Sequence, residues 1–472
     1  MSEVPTGVEM DSVSRKIRPS ATMMITRDGT NGVEILLGRR AESMPAFPGY
    51  WAFPGGGLSR VDKLAVEELE QLDGPNAAAF AAIMREIVEE LGLACVDGKI
   101  IVVDDAARNL VVADKANWLP QVKQGKIPCD TSGIRHISSR TTPPFGPVLF
   151  ENTFLHIHGG SSQEVPQPSI VGQTEFVEFT WQSADQLLLK WKTHEMKIAP
   201  PVVTLMMQLK RTLAQFGGDM ESSAEEMEKR QIGRRSILFA YGVEVVPVKT
   251  ATLPPADHTN SYLIGDPEGD FVLVDPAARM REGMEDLAVA VERHNGNLLA
   301  IVFTHPHSDH LGDFDLLREA FDVPIWGSQQ TSEQIPCQRI LHDGEMLQLG
   351  QQKWQVLQTP GHHPGHICLL GEAGLVAGDM VAGIGTILIP PSEGDMDQYL
   401  QQLQRLIDLK PHLIFPSHGP VIPLPEKKLK YYLQHRAARH QRVIDAVAAG
   451  NNKLDQIPIV AYQDSPDAHP LL

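Results

Sequence analysis

His305-Pro306-His307-Ser308-Asp309-His310 follows directly on the apolar run Leu298–Thr304, and the reading of this stretch decides the fold. A short apolar run rich in β-branched and aromatic residues predicts a buried strand. Three imidazoles and a carboxylate within six residues suit neither a core nor an ordinary solvated surface. Imidazole and carboxylate are, however, the donor set of a divalent ion such as zinc. Leu311-Gly312 and an amphipathic run to Phe321 come next, so the cluster sits on a strand-to-helix loop.

Three later segments repeat the arrangement. Trp354–Leu357 leads to Thr359-Pro360-Gly361-His362, Leu375–Ala377 to Gly378-Asp379, and Leu413–Phe415 to Pro416-Ser417-His418-Gly419. Each puts a potential ligand just past the end of a short apolar strand, and loops at one end of a sheet are where such sites converge. The five-part pattern resembles the metallo-β-lactamase superfamily over roughly residues 244–446. The resemblance implies an αββα sandwich with two Zn²⁺ ions. His305, His307 and His362 would hold the first ion, Asp309, His310 and His418 the second, and Asp379 would bridge them. Asp257–Ile264 and Val274-Asp275-Pro276 resemble the opening strands of the same fold, with Asp275 expected to orient the ligand loop from behind. His366 is expected to support the site through hydrogen bonds; His342 and His412 are isolated and read as structural, and Cys368 as a small core residue.

Asp379 stands where zinc β-lactamases commonly have cysteine, which points to the glyoxalase II-like and endoribonuclease-like branches. His307 excludes the flavo-di-iron pattern, and no glutathione-binding region is visible after the core. The implied chemistry is hydrolysis of an ester, thioester or phosphodiester by water activated between two metals, with Asp309 handling the proton. The tail resembles the helix that follows the core in β-lactamase-like protein 2, an endoribonuclease branch. From Lys427 to Arg442 it carries six Lys/Arg and no acid. On a helix Tyr432, His435 and Arg439 share one face, and they are expected to line the rim of the metal cleft and to engage a phosphate. The alternative is that Tyr432 packs inward. Residues 447–472 read as a reduced or incomplete version of the module that follows in that branch.

The first half is different in kind. Ala21–Thr26 and Val33–Gly38 predict a hairpin across Asp28-Gly29 and Asn31-Gly32. Phe53-Pro54-Gly55-Gly56-Gly57 follows, then a helix from about Ala77 to Leu91 with Ile83, Ile87 and Leu91 as its buried stripe and Gly92 as its C-terminal cap. Glu86, Glu89 and Glu90 project from another face, where like charges destabilise the helix unless a cation neutralises them; clustered carboxylates suit Mg²⁺. The string Arg85-Glu86-Ile87-Val88-Glu89-Glu90-Leu91-Gly92-Leu93 resembles the second half of the Nudix box. The resemblance implies an α/β/α sandwich over residues 17–215, with Mg²⁺ or Mn²⁺ on Glu86, Glu89 and Glu90, Glu86 in a catalytic role, and Arg85 orienting the cluster. The box departs from its family in having Asp62 where glutamate is usual, with 22 residues between it and Arg85. Such a long box resembles the subgroup that acts on coenzyme A-like diphosphates. His156 and His158 share a strand face and read as polar positions on a half-exposed strand.

Gly217–Arg235 is polar and charge-mixed, so residues 216–243 read as a linker or an exposed helical connector. The chain has 472 residues and a net charge of −18, with 25 Lys/Arg against 30 Asp/Glu in residues 1–240 and 16 against 29 in residues 241–472. That balance disfavours non-specific polyanion binding. Four scattered cysteines exclude a disulfide framework. Met1–Lys16 has no apolar signal core, and no apolar run reaches about 18 residues. The expectation is a cytoplasmic, two-domain α/β hydrolase acting on small molecules of thioester or nucleoside diphosphate type, with single-stranded RNA as the alternative partner and no membrane. A non-catalytic binding role for the first domain is the other alternative.

Overall fold

The computed structural model describes residues 16–146, 148–172, 175–229, 236–451, 453–454 and 456–462. The chain divides into two compact units between Tyr241 and Gly242.

In the first unit the hairpin strands are Ile17–Gly29 and Gly32–Arg40, paired antiparallel down to Gly29 opposite Gly32. Ile17–Gly29 also runs parallel to Leu149–Ser161, and Phe176–Ser183 pairs with Gly32–Arg40. Alternation sends Ala21, Met23 and Ile25 to one face, where they join Ile83, Ile87 and Leu91 of the helix Ala77–Leu91 in one core. Met24, Ile35 and Leu37 are buried on the other face. Gly92 caps the helix in a left-handed conformation, φ 70°, its N–H reaching Ile87 O and Val88 O.

Two expectations need correction here. His156 is buried, not half-exposed: its Nε2 lies 2.8 Å from Thr26 Oγ1, because Leu149–Ser161 is a central strand covered on both faces. Within the stretch read as a linker or an exposed helical connector, Met220–Lys229 is indeed a helix but not an exposed one: Ser223, Ala224 and Met227 are buried, and Arg135 pairs with Glu221 and Glu225. Small and methionine residues on one face of an otherwise charged helix were enough to bury it. Arg230–Arg235 lie outside the described residues.

The second unit has two facing sheets. One runs Val243–Lys249, His258–Gly265, Asp270–Val274, Asn297–Val302, Ile325–Gly327 and Arg339–Ile340; the other runs Met346–Leu349, Gln352–Gln358, Ile367–Gly371, Gly374–Gly378 and Ile414–Pro416. Leu263, Leu273 and Ile301 pack outward on the helix Arg281–Glu292. Leu357, Leu375 and Ile414 pack on Met396–Leu409 and Pro425–Ala448. Their strand neighbours Ile264, Val272, Val356 and Val376 are equally buried and must face the opposite sheet. This is the αββα sandwich. No helix among the described residues is long and apolar enough to cross a membrane.

Candidate functional site

All four ligand-bearing loops of the second unit leave the ends of strands. Asn297–Val302 leads to His305, Gln352–Gln358 to His362, Gly374–Gly378 to Asp379, and Ile414–Pro416 to His418. Their nitrogens and oxygens converge. His307 Nδ1 lies 3.0 Å from both His305 Nε2 and His362 Nε2. His418 Nε2 lies 3.5 Å from Asp309 Oδ2, and His310 Nε2 lies 3.9 Å from Asp309 Oδ1. Asp379 divides its carboxylate between the groups: Oδ2 is 3.6 Å from His362 Nε2, while Oδ1 is 3.4 Å from His418 Nε2 and 3.6 Å from His310 Nε2.

His310 Nε2 and Asp379 Oδ1 are buried without a hydrogen-bond partner. Orphaned buried donors and acceptors of this kind are rare unless something else satisfies them. The sets His305–His307–His362, His305–His310–Asp379 and Asp309–His310–His418 each bring their ligand atoms within 4.8 Å of one another. The residues therefore fit two divalent ions.

Each imidazole also has its outer nitrogen engaged, which fixes the tautomer and aims the other nitrogen inward. His310 Nδ1 donates to Asp275 Oδ2 at 2.9 Å. Asp275 also accepts from Thr304 N at 2.8 Å and from Thr304 Oγ1 at 2.7 Å, and that hydroxyl accepts from His305 Nδ1 at 3.0 Å. One buried carboxylate thus orients a ligand of each group. His362 Nδ1 donates to Leu388 O at 2.7 Å, and His418 Nδ1 to His258 O at 3.1 Å. His366 supports Asp379 through the backbone: the Asp379 N–H donates to His366 Nε2 at 2.9 Å, and His366 Nδ1 to Thr359 Oγ1 at 2.8 Å. Gly378 permits this, since its φ is 49° and a Cβ there would stand 2.4 Å from His366 Nε2.

The electrostatics follow. Burial lowers His305 well below the ordinary imidazole range and brings His362 down to about 4. Burial would lower His418 too, but Asp379 and Asp309 outweigh it and push it up to about 10. His310 is raised in the same way by Asp379, Asp309 and Asp275. Burial would raise Asp379, yet His418 and His310 hold it well below the carboxylate range.

The metallo-beta-lactamase superfamily model matches residues 254–336 and 335–418. A hydroxyacylglutathione hydrolase of Bdellovibrio bacteriovorus is 32% identical over 171 residues, covering 34% of this chain and 67% of that protein. The chain belongs to the metallo-beta-lactamase superfamily. A beta-lactamase-like protein 2 homolog of Drosophila melanogaster is 27% identical over 225 residues, or 44% of this chain and 76% of that superfamily relative. Among solved structures, a NUDIX hydrolase from Alicyclobacillus acidocaldarius is 23% identical, covering 47% of this chain and 99% of its own, with a TM-score of 0.39. The chain is a superfamily hydrolase carrying candidate His/Asp metal groups.

The basic tail of this superfamily unit is placed differently from expectation. Tyr432 is fully buried; its hydroxyl accepts from Ala382 N at 2.8 Å and donates to Gly385 O at 3.1 Å. The Arg439 guanidinium donates to Ala461 O and lies 4.1 Å over the Tyr462 ring. Neither lines a cleft rim, because the helix face assigned to substrate is spent on the loop after Asp379 and on the helix Ile457–Ala461. His435 packs its ring beside Tyr431 at 5.9 Å.

In the first unit, Arg85 lies under the acidic face. Its Nε and Nη2 fork onto Asp62 at 2.8 and 3.1 Å, Nη2 is 3.0 Å from Glu86, and Nη1 donates to Glu89 at 2.9 Å. Asp62, fully buried, also accepts from Ser59 N at 2.7 Å at the start of the helix Arg60–Glu68. The long separation in sequence has not displaced it. Glu90 Oε2 accepts from Gly55 N at 3.0 Å, and its Oε1 is buried with no hydrogen-bond partner. Gly56 leaves room for the Glu86 carboxylate: a Cβ there would stand 2.3 Å from Glu86 Oε1 and push that side chain aside. Burial raises Glu86 to about 7 and Glu90 well above the carboxylate range, each reinforced by a neighbouring glutamate. A cation would relieve that cost. The three glutamates are looser than the histidine groups and are not among the sets converging within 4.8 Å.

Sequence reasoning missed Thr304, Asn260 and Glu393. Asn260 Nδ2 donates to Pro416 O and Gly419 O at 2.9 and 2.8 Å and so anchors the His418 loop. Its place inside Asp257–Ile264 was a usable signal. Glu393 carried none: it stands alone in a loop, yet its Oε1 accepts from His307 Nε2 at 2.7 Å.

Proposed function

We propose that the metallo-beta-lactamase unit hydrolyses an ester or thioester of a small molecule at a centre holding two zinc ions. The observation that carries this reading is the divided carboxylate of Asp379, one oxygen toward each ligand group. His305, His307 and His362 would hold one ion and Asp309, His310 and His418 the other. Such a pair supplies Lewis acidity and lowers the pKa of water toward neutrality. Asp309, more open to solvent than Asp379, is suited to hold or accept the proton released as water attacks. No serine or cysteine nucleophile is needed.

Against a nucleic-acid substrate stand the cations of the tail helix. Lys428 donates to Gly383 O, Arg436 to Ile387 O and Arg439 to Ala461 O, and Lys430 pairs with Glu426. The relative named hydroxyacylglutathione hydrolase supports the small-molecule reading. Elemental analysis after zinc reconstitution should give two ions per chain, and an acyl-thioester panel should release free thiol. Cleavage of single-stranded RNA instead, abolished by Asp309→Ala, would move the assignment to an endoribonuclease.

For the first unit we propose a Nudix-like site that uses Mg²⁺ or Mn²⁺ on Glu86, Glu89 and Glu90 to cleave a nucleoside diphosphate linked to another group. The buried, unpartnered Glu90 Oε1 and the Asp62–Arg85 fork support it. Turnover lost in Glu89→Gln supports catalysis. Ligand binding that survives Glu89→Gln, with no turnover in the wild type, would make this unit a binding module. The two units, 17–215 and 244–446 in their essential parts, are proposed to act independently, so Glu89→Gln should leave the second activity within a few-fold of wild type.

A further inference from the structure

The geometry points to Glu393 as a positioning residue that fixes the orientation of His307 and thereby sets the affinity of the first metal site separately from the second. This rests on the dinuclear reading above.

His307 is the partly exposed imidazole of its group, on the loop before the short helix Ser308–Leu311. Its Nδ1 faces the nitrogens of His305 and His362, so its proton has to sit on Nε2, and the acceptor found there is Glu393 Oε1 at 2.7 Å. The other imidazoles of the two groups are held by backbone carbonyls or by the buried pair Thr304–Asp275. Among them, His307 is oriented by a carboxylate from an exposed turn, with 34% of that side chain open to solvent.

The turn itself is fixed. Gly394 N donates to Pro390 O and Asp395 N to Gly361 O, both at 2.7 Å, next to His362. The other Glu393 oxygen lies 3.7 Å from His363 Nε2. His363 Nδ1 accepts from Gly365 N at 2.9 Å, which leaves its Nε2 facing Glu393, with Gln334 Nε2 3.2 Å away. The carboxylate thus hydrogen-bonds one imidazole and lies beside a second, on a turn that is itself pinned, which orients a half-exposed side chain. A carboxylate acceptor also makes the opposite imidazole nitrogen a stronger donor to a metal than a neutral acceptor would. Among the described residues no hydrogen bond or ion pair joins Glu393 directly to Asp309, His310 or His418.

The test is zinc and cobalt titration of the full chain against a competing chelator, with the ligand-field spectrum of the cobalt form recorded at each equivalent. Glu393→Ala should weaken one of the two ions by roughly 10–100-fold and leave the other within a few-fold. Its cobalt spectrum should change in the band of the weakened site only. Glu393→Gln, which still offers an oxygen to His307 Nε2, should recover part of the loss, and the metal-free melting temperature of both variants should match wild type. Two affinities that fall together, or neither, would overturn the assignment. A wild-type chain that takes up only one ion would overturn the dinuclear reading itself, and this assignment with it.

Discussion

Asp275 Oδ2 accepts from His310 Nδ1 at 2.9 Å, and through Thr304 the same carboxylate orients His305, so one member of each candidate ligand group shares this support. Asp275 takes three donors on two oxygens inside a fully buried pocket. An asparagine would turn an N–H₂ group against at least one of them. Asp275→Asn should weaken both ions by roughly 10–100-fold in chelator competition. Loss of one ion alone would show that the route through Thr304 is not working.

Arg85 and Asp62 form a buried fork. Removing one partner strands the other charge, at a cost of about 3–5 kcal/mol. Arg85→Ala should lower the urea stability of the first unit by that order, and it also deprives Glu86 and Glu89 of their counter-charge. The second unit's transition should not move.

Glu90→Gln should raise the stability of the first unit when divalent ions are absent, because a buried carboxylate with an unpartnered oxygen is removed. On the proposed Mg²⁺ site, added Mg²⁺ should stabilise the wild type and fail to stabilise Glu90→Gln. Thermal unfolding with and without Mg²⁺ measures both effects.

Burial first, then the charges of His158 and Arg135, depresses His156 from 6.5 to about 3. The native state therefore binds fewer protons than the unfolded state between those values. The stability His156 contributes is complete above 6.5 and is lost as pH falls toward 3, with a slope of up to about 1.4 kcal/mol per pH unit. In His156→Gln the acid dependence of the first unit's unfolding should be shallower over this window.

Arg439→Ala should leave the Michaelis constant of every substrate of the second unit unchanged. It should instead loosen the helix Ile457–Ala461, by about 1.5–3 kcal/mol for a charge-assisted hydrogen bond. Hydrogen exchange at Ile457–Ala461 would show faster protection loss.

What the sequence determined by itself was local. A candidate ligand just past an apolar strand is a pattern of neighbours in the chain, and four such patterns place His305, His362, Asp379 and His418 on loops. Helical spacing likewise set the stripe Ile83, Ile87 and Leu91, and the φ that Gly92 requires set the helix end. Pairings across long separations belonged to the tertiary structure alone. Glu393 meets His307 across 86 residues, and Asp275 meets His310 across 35. Tyr432 shares a helix face with Arg439, as periodicity requires, but periodicity is silent on what covers that face. Here the loop after Asp379 and the helix Ile457–Ala461 cover it, so side chains suited to an anion satisfy backbone carbonyls and amides instead. The physical reason is that a buried polar group must find a partner wherever packing puts it, and packing is decided by the whole sandwich rather than by the residues on either side.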